Sequence, residues 1–237
     1  MLLNEKDIFW FQRRSFIQAA AAFTAAGLWL PAHAQSRSNV VELAGDAKLN
    51  GTSMRSDSIV QTGDLLQTGP NSRLTFVIGG TSMHLRQNSS LKIERGASIN
   101  FVSVLRLVTG GLAAVFDKGD RRRVITPTLT AGIRGTGIYL ESEATRSYFC
   151  NCYGSIELTS GTASLITTAD YHDSYWVSPT APKDGKIIWP TAPRNHTDEE
   201  IETLARLSAQ NTAWANMPMD MRKQKMAEKS GAYTPAK

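Results

Sequence analysis

Thiol groups are scarce in this 237-residue chain, which contains two cysteines and four histidines. The chain also lacks the Gly-x-Ser-x-Gly elbow, the His-Glu-x-x-His pair and the Gly-x-x-x-x-Gly-Lys-Ser/Thr phosphate loop. These absences argue against the common hydrolase, metalloprotease and nucleotide-binding classes, and we expect a protein without catalytic activity. A thiolate activity with Cys150 as nucleophile and His172 as base is the alternative.

No apolar run is long enough to span a bilayer, since the most apolar stretch, Ala19–Leu30, is shorter than the roughly 20 residues required. It follows the pair Arg13-Arg14 and precedes a small-x-small cleavage site at residues 32–34, which is the layout of an export signal. The paired arginines resemble a twin-arginine signal, and an ordinary secretory signal is the alternative. We expect residues 1–34 to be cleaved off, leaving a periplasmic protein with no lasting membrane span.

Positive charge is in slight excess and is dispersed along the chain. The formal net charge is +5, and removal of residues 1–34 takes away three basic and two acidic residues, which leaves +4. The basic runs Arg121–Arg123 and Arg222–Lys229 contain no aromatic side chains on which bases could stack. We therefore expect no nucleic-acid partner.

Residues 39–178 have the pattern of an all-β domain. Short runs of β-branched and apolar residues alternate with Gly, Asn, Asp and Pro at intervals typical of short strands and tight turns. Leu74, Phe76 and Ile78 share one face of a strand, so that strand would bury one face only. Such strands have to pack on each other as a sandwich, a barrel or a short solenoid. The predicted strands include Arg73–Ile78, Ser82–Leu85, Ser90–Ile93, Ser103–Val108, Leu112–Phe116, Arg123–Thr126, Thr136–Leu140, Arg146–Cys152, Ser155–Thr159 and Ala163–Thr167.

The C-terminal part of the chain first has the composition of a loop and then that of a helix. Four prolines predict a segment that cannot be a central strand. Thr197 and Glu200 then form a capping box, and an apolar stripe follows it. The last residues are polar and charged, which is typical of a mobile tail. We divide this part into a loop at 179–196, one docking helix at 197–216 with helical residues Asp198–Trp214, and a tail at 217–237.

Five short motifs follow one another between Val40 and Leu140. They are Gly63-Asp64 with Leu66–Ser72, Leu85–Ser89, Gly110-Gly111-Leu112, Thr126-Pro127 and Ala131–Thr136. In order and spacing they resemble the FecR-domain family of periplasmic proteins, and the Arg-Gly-Thr sequence at residues 134–136 is the most specific of them. The resemblance implies an exported β-rich recognition module, wound as a short β-helix-like roll.

The best-known members of that family are iron-transport regulators that span the inner membrane. A cytoplasmic segment of those proteins controls a sigma factor, and a periplasmic part senses a loaded outer-membrane transporter. In this chain we expect neither an anti-sigma segment nor a lasting membrane span. An anti-sigma function is therefore the least supported role that the resemblance implies.

Most of the family-motif residues are expected to have structural roles. Glycines permit turns, short polar side chains cap them, and the Arg134 guanidinium is expected to be buried and to bind loop carbonyls. The residues concerned are Gly63, Asp64, Thr68, Gly69, Asn71, Ser72, Arg134, Gly135 and Thr136.

The two cysteines lie one residue apart, at Cys150 and Cys152, in the predicted strand Arg146–Cys152. Alternate residues of a strand face the same way, so both sulfurs point to one side, whereas Phe149 and Tyr153 point to the other. Both thiols are therefore available to the same partner.

Three explanations of this pair remain open. A disulfide suits the oxidising periplasm, although the roughly 6.6 Å between alternate Cα atoms of a strand is near the upper limit for a bridge. A metal site is the second, because two thiolates and two imidazoles form a tetrahedral set for Zn²⁺, with iron as an alternative ion. His172 and His196 would complete this set if the C-terminal segment folds back over the strand. Two buried thiols acting as small hydrophobes are the third.

Two functional interpretations follow. The first is a non-catalytic binding or scaffolding module, whose β surface contacts an envelope protein or a cell-wall polymer while the Cys/His cluster stabilises its C-terminal half. The second is a metal- or redox-responsive sensor, in which the cluster is the detector. Replacing both cysteines by serine distinguishes them, since a scaffold would keep its partner binding and a sensor would change it.

Overall fold

The structure of the protein, a computed structural model, describes residues 38–96, 98–119 and 121–231. The expected export signal at residues 1–34 lies outside these ranges. Neither helix found within them is long and apolar enough to cross a membrane.

Extended chain dominates the described residues, which confirms the all-β class. The strands are β1 (Val40–Ala44), β2 (Ala47–Leu49), β3 (Thr52–Ser53), β4 (Leu65–Thr68), β5 (Arg73–Ile78), β6 (Thr81–Leu85), β7 (Ser90–Ile93), β8 (Val104–Val115), β9 (Arg122–Ile125), β10 (Thr130–Ser142), β11 (Ser147–Ser160), β12 (Ala163–Ala169), β13 (Asp173–Val177) and β14 (Ile188–Thr191).

These strands of the described chain form one sheet. Its main path runs β14-β13-β11-β10-β9-β8-β7-β4-β2-β3, and the other strands attach as β12 to β11, β6 to β8, β5 to β6 and β1 to β5. Strands β8 and β9 pair in parallel, and the other named ladders are antiparallel. Asn71 and Asn88 turn the chain between strands with φ values of 51° and 53°, as their local sequence predicts.

Strands β8 and β10 are long, and each changes its neighbouring strand partway along its length. β8 pairs with β7 over residues 105–109 and with β10 from Gly110 onward, whereas β10 pairs with β9 before Arg134 and with β8 from Gly137 onward. The partner changes fall at glycines with positive φ, Gly110 (88°) and Gly135 (61°). Side chains with a Cβ rarely adopt this conformation, so glycine is what allows one continuous sheet to change direction here.

Alternate residues of the central strands point into two separate apolar clusters. In β8, Leu112 lies in the larger cluster and Ala113 in the second, and in β11 the same holds for Phe149 and Cys150. We call the larger cluster the inner core and the second the outer cluster. The outer cluster consists of Ala113, Val115, Tyr139, Tyr148, Cys150, Cys152, Tyr153, Tyr171, Trp176, Ile201, Leu204, Ala205 and Trp214.

Helix α1 (Asp198–Leu207) starts at the predicted capping box. The Glu200 backbone N–H donates to Oγ1 of Thr197, and the Thr197 N–H donates to the Glu200 carboxylate at 3.1 Å. The helix ends at Leu207 and does not reach Trp214 as predicted. Ala209 adopts a φ of 53° and the Gln210 N–H donates to the Ala205 carbonyl, which closes the C-terminus of the helix.

A second helix, α2 (Met219–Gly231), occupies most of the stretch whose composition predicts a mobile tail. The C-terminal part of the chain therefore has two helices and not one. No side chain of α2 is buried, and polar contacts attach it, such as Arg222 with Glu202 and Lys225 with Asp170. Composition could not predict this docking because the partners lie on other elements.

Two predicted breaks between strands are wrong because they rest on glycines that lie inside strands. Gly110 and Gly111 belong to β8, and Gly154 belongs to β11, so each predicted pair of strands is one long strand. The predicted loop at 179–196 contains β14, which includes Pro190. This strand ends the sheet, and an edge strand tolerates a residue without an N–H donor.

Arg134 is exposed and not buried as predicted. It lies where the register between β10 and β11 shifts, between Arg134 and Gly137. Its side chain therefore projects from an irregular part of the strand and cannot serve as an internal anchor for loop carbonyls.

Three short polar residues of the family motifs, Asp64, Thr68 and Ser72, bind turn backbone, whereas the buried Thr136 hydroxyl has no hydrogen-bond partner. The Asp64 carboxylate accepts hydrogen bonds from the Gln61 N–H and the Asn50 side chain, each at 2.8 Å. The Ser72 hydroxyl accepts one from the Asp46 N–H at 2.8 Å, and Thr68 donates to the Arg86 carbonyl. These contacts hold loops in the half of the sheet formed by β1 to β7.

Candidate metal centre

Cys150 and Cys152 lie in the middle of β11, which pairs with β10 on one side and with β13 on the other. Both side chains are fully buried in the outer cluster, and their sulfurs are 3.8 Å apart. They share one face, as strand alternation predicts. Tyr153 joins the same cluster, contrary to that alternation, because a bulge shifts the register opposite it between Gly137 and Ile138.

His172 and His196 reach the sulfurs from two other parts of the chain. His172 lies between β12 and β13 with a φ of 42°, and its backbone N–H donates to the Cys152 carbonyl at 2.9 Å. His196 lies between β14 and α1, where its ring stacks on Tyr139 with 4.6 Å between the ring centres. The turn and the stacking fix the two imidazoles above the same strand.

The four donor atoms form a closed ring of short contacts. The measured separations are 3.8 Å between the sulfurs, 3.5 Å from Cys150 Sγ to His172 Nδ1, 3.6 Å from Cys152 Sγ to His196 Nε2 and 3.1 Å between the two nitrogens. The whole set lies within 4.8 Å. Zinc–sulfur bonds of about 2.3 Å and zinc–nitrogen bonds of about 2.0–2.1 Å place tetrahedral neighbours about 3.8, about 3.6 and about 3.3 Å apart for S–S, S–N and N–N pairs. These four of the six separations agree with the tetrahedral values to within about 0.2 Å, and the other two are at most 4.8 Å, so one ion could bind all four donors after small side-chain movements.

The second nitrogen of each imidazole is bound by a protein acceptor. Nε2 of His172 donates to Oδ1 of Asp198 at 3.0 Å, and Nδ1 of His196 donates to the Arg194 carbonyl at 2.7 Å. The opposite nitrogens, Nδ1 of His172 and Nε2 of His196, are the ones that face the sulfurs. A carboxylate or carbonyl behind each histidine is the usual arrangement around protein-bound metals, because it fixes the ring and increases its basicity.

Asp198 is itself held in place by neighbours. The Tyr171 hydroxyl donates to its carboxylate at 3.0 Å, and Arg222 lies 3.6 Å away. Burial raises the pKa of this carboxyl, but the bonds from His172 and Tyr171 and the charge of Arg222 lower it overall. Asp198 is therefore a carboxylate at neutral pH and can polarise His172.

The thiols and imidazoles shift each other's proton affinities in the metal-free chain. Burial raises the pKa of Cys150, but Cys152 and the two imidazoles outweigh it and hold the pKa well below that of an ordinary thiol. Burial lowers the pKa of His172, but Asp198 and Cys150 raise it overall to about 9. Burial and the neighbouring Cys150 raise the pKa of Cys152 well above its usual value. A cation bound by all four groups would displace the protons of His172 and Cys152.

The two cysteines are thiols and are not joined by a disulfide in this structure. Their sulfurs are 3.8 Å apart, whereas a bridge requires about 2.05 Å. Closing that gap would draw each sulfur away from the imidazole it contacts. The spacing thus matches shared ligation better than covalent pairing.

Cys150, His172 and Asp198 also line up as a nucleophile, a base and an orienting carboxylate. Burial argues against this use, because Cys150 is 0% exposed and His172 is 1% exposed. A cleft of about 520 Å³ opens nearby, with Tyr139 and Asn195 in its wall, but neither cysteine borders it. A substrate in that cleft would not reach the thiolate.

Aromatic rings cover the cluster on the side away from the sheet. The fully buried ring of Trp214 lies 4.8 Å from that of His172, 5.3 Å from Tyr171 and 5.6 Å from Tyr153. The Trp214 N–H donates to Glu202 at 3.0 Å. This apolar layer keeps water from the donor atoms, which strengthens their interaction with a bound cation.

The structure brings together all four donors that the sequence analysis names. The groups that orient them were missed. Asp198 was assigned only to the acidic first turn of a helix, and the Arg194 carbonyl has no side-chain signal. An acid two residues after a candidate histidine ligand, as in His196-Thr197-Asp198, is the signal that could have identified Asp198.

Solved structures resemble this chain in part. No family model matches the chain, and no curated protein matches it in sequence. Two crystal structures of a candidate anti-sigma factor from Parabacteroides distasonis resemble it with a TM-score of 0.45 each, at 12% and 11% identity. The matches cover 60% of this chain and 64% or 63% of the other, so they span less than two thirds of those chains. Membership of the FecR-domain family stays a prediction from the sequence motifs.

Proposed function

We propose that this protein is a non-catalytic, exported FecR-domain binding module, whose C-terminal half is held in place by one structural metal ion bound to Cys150, Cys152, His172 and His196. The observation that carries the proposal is the convergence of these four donor atoms, four of whose six separations match those of a zinc-bound set. The anchored second nitrogens of both imidazoles support it.

Zinc is the ion that the donor set suits best. Two thiolates with two imidazoles in a tetrahedron are typical of Zn²⁺. A Rieske-type cluster also uses two cysteines and two histidines, but it binds the cysteines to one iron and the histidines to the other. The sulfur–nitrogen distances of 3.5 and 3.6 Å are too short for two separate irons.

A structural role follows from the number of ligands. Catalytic zinc sites have three protein ligands and keep a position open for water or substrate, whereas four protein ligands close the coordination sphere. Here all four donors come from the protein, and both thiols are fully buried. The ion would therefore stabilise the fold and would not perform chemistry.

The cellular part of the proposal rests on the sequence. The paired arginines near the N-terminus favour export by the twin-arginine route, and thiolates that already bind zinc would be protected in the oxidising periplasm. There the β surface would contact an envelope protein or a cell-wall polymer. Replacing Arg13 and Arg14 by Lys should keep the protein in the cytoplasm, and unchanged export would refute this route.

A metal- or redox-responsive sensor is the second candidate. The positions of the four donors favour this role. Cys150, Cys152 and His172 lie on the sheet and its hairpin, whereas His196 immediately precedes the capping box of α1. Binding or loss of the ion would thus bear on how the C-terminal helices dock.

Elemental analysis of the purified protein, combined with thiol counting after denaturation in a chelator, tests the metal site. We expect about one zinc per chain and two reactive thiols. Absence of metal would overturn the proposal, and loss of both thiols as well would identify a disulfide. His84→Gln, which changes a histidine outside the cluster, is the matched control and should keep its zinc.

A further inference from the structure

Residues 192–231 cross the outer cluster after β14, and we call them the C-terminal strap. Helix α1 packs against β6, β8 and β10, and the Ser82 hydroxyl of β6 donates to the Leu204 carbonyl of the strap at 2.6 Å. We propose that the metal ion acts as a latch, which means that it holds this strap against the sheet. Loss of the ion would then uncover the sheet face beneath the strap. This inference rests on the metal site proposed above and adds a regulatory consequence to it.

The ion would join two parts of the molecule. Cys150, Cys152 and His172 belong to the sheet and its hairpins, whereas His196 belongs to the strap. Asp198 of the strap also accepts a hydrogen bond from the outer nitrogen of His172. The strap therefore contacts both nitrogens of this imidazole, through Asp198 and through His196. Ligation therefore acts as a cross-link at the N-terminal end of the strap.

Besides the proposed ligand, the strap is held by apolar side chains of α1 and Trp214 and by polar contacts with the sheet, such as Arg86 with Glu200 and Arg194 with Glu141. Helix α2 buries no side chain, and its ion pair between Lys225 and Asp170 involves a carboxylate that is 67% exposed. Exposed ion pairs contribute little in water, because solvent screens them. The strap's fully or nearly fully buried apolar side chains are Ile201, Leu204, Ala205 and Trp214.

Without the ion, the closed arrangement keeps two thiols and the inner nitrogens of two imidazoles buried against one another. Cys150 and Cys152 are 0% exposed, and their sulfurs face mainly each other and the two imidazoles. Burial of these titratable groups costs free energy that their mutual contacts offset in part, and a bound cation would offset more of it. Movement of His196 out of the cluster would let water reach all of them, so metal loss favours the open strap.

Opening of the strap uncovers an aromatic surface. Tyr139, Tyr148, Tyr153 and Trp176 lie on the sheet side of the outer cluster and are less than a tenth exposed in the closed protein. A contiguous apolar patch of this kind is rarely exposed on a monomer. The ion would thus determine whether the sheet offers this surface.

Hydrogen exchange of the zinc-loaded protein, before and after chelation, tests the latch. Elemental analysis of the same samples confirms that the ion has left. We expect amides of α1 to exchange at least about tenfold faster after chelation, whereas amides of β4 and β7, which lie away from the strap, keep their rates. The emission of Trp214 should shift to longer wavelength, and added Zn²⁺ should restore both signals. Unchanged protection of α1 after verified metal loss would overturn the latch and would leave the metal site intact.

Two variants distinguish latching from general loosening. His196→Ala removes the strap's ligand and leaves three donors on the sheet, so its strap should stay open even where zinc remains bound. Lys225→Ala with Lys229→Ala breaks the ion pairs of α2 with Asp170 and Asp173 but leaves the ligands intact, so α1 should stay protected. A closed strap in His196→Ala, or an open α1 in the lysine variant with zinc bound, would contradict the inference.

Discussion

Nε2 of His172 donates a hydrogen bond to Oδ1 of Asp198 at 3.0 Å, which ties the hairpin after β12 to the first residue of α1. The same carboxylate accepts a bond from Tyr171 and lies 3.6 Å from Arg222 of α2. One side chain therefore links the candidate metal centre to both helices. Replacing Asp198 therefore tests how the orientation of His172 affects metal binding, because it changes no metal ligand.

Asp198→Asn should weaken zinc binding by about 10–100-fold, because the amide lacks the charge that orients His172 and increases its basicity. Competition with a chromophoric chelator measures the affinity. Glu199→Gln is the matched control, since it removes one negative charge from the same helical turn on an exposed side chain. Equal affinities of the two variants would show that Asp198 does not support the site.

Replacement of both Cys150 and Cys152 by serine should abolish zinc binding and lower the thermal midpoint. Loss of a structural ion worth several kcal/mol corresponds to a decrease of about 10 °C or more in a chain of this size. The decisive comparison is chelation, which should destabilise the natural protein and leave the variant unchanged. A variant that melts at the natural temperature would rule out a structural role of the ion.

His84 should make the fold less stable at acidic pH. Burial lowers its pKa below the usual 6.5, and Glu200 offsets this in part, with Arg86, Glu42 and Arg73 as the other charges that act on it. The unfolded chain therefore takes up the proton first, so the stability that neutral His84 contributes is present above pH 6.5 and is lost as the pH falls below it.

Urea denaturation of the natural protein and of His84→Gln, at about pH 7.5 and about pH 5.5, tests this effect. The free energy of unfolding should fall less between the two pH values in the variant. Because both proteins keep the metal ligands, acid release of zinc affects them alike and cancels in the comparison. Parallel changes in both proteins would refute the assignment.

Gly154 should tolerate a side chain much less well than Gly161, although both have positive φ values of 97° and 56°. A Cβ at Gly154 would lie 2.4 Å from Cγ2 of Thr136, whereas a Cβ at Gly161 would meet no atom within 4 Å. Gly154→Ala should therefore cost about 1–3 kcal/mol more than Gly161→Ala. Chemical denaturation of both variants gives the difference, and equal losses would show that the close approach to Thr136 is readily relieved.

Local patterns were sufficient for some of the short strands and for the start of α1, whereas β1 to β4 and β13 were not among the predicted strands. Arg73–Ile78 and Ser90–Ile93 were predicted with the bounds that the structure has, because side-chain alternation depends on the strand itself. The capping box at Thr197 is equally local, since its two hydrogen bonds join residues three apart. These features need no information about distant parts of the chain.

The long strands could not be predicted in the same way. A glycine such as Gly110 or Gly154 permits a turn, but it also permits a bend inside a strand, and the partners on either side decide between them. Helix α2 depends likewise on contacts with Asp170 and Glu202, which lie outside it. Only the folded chain brings those partners together.

The sequence by itself determined which side chains can bind a soft cation, because donor chemistry belongs to the residue type and Cys150 and Cys152 share one face of a strand. The tertiary structure alone decided that the donors meet. Cys152 and His196 are 44 residues apart, and their 3.6 Å separation follows from strand pairing and from the docking of α1 on the sheet. The same docking places Asp198 behind His172, because long-range packing sets both positions.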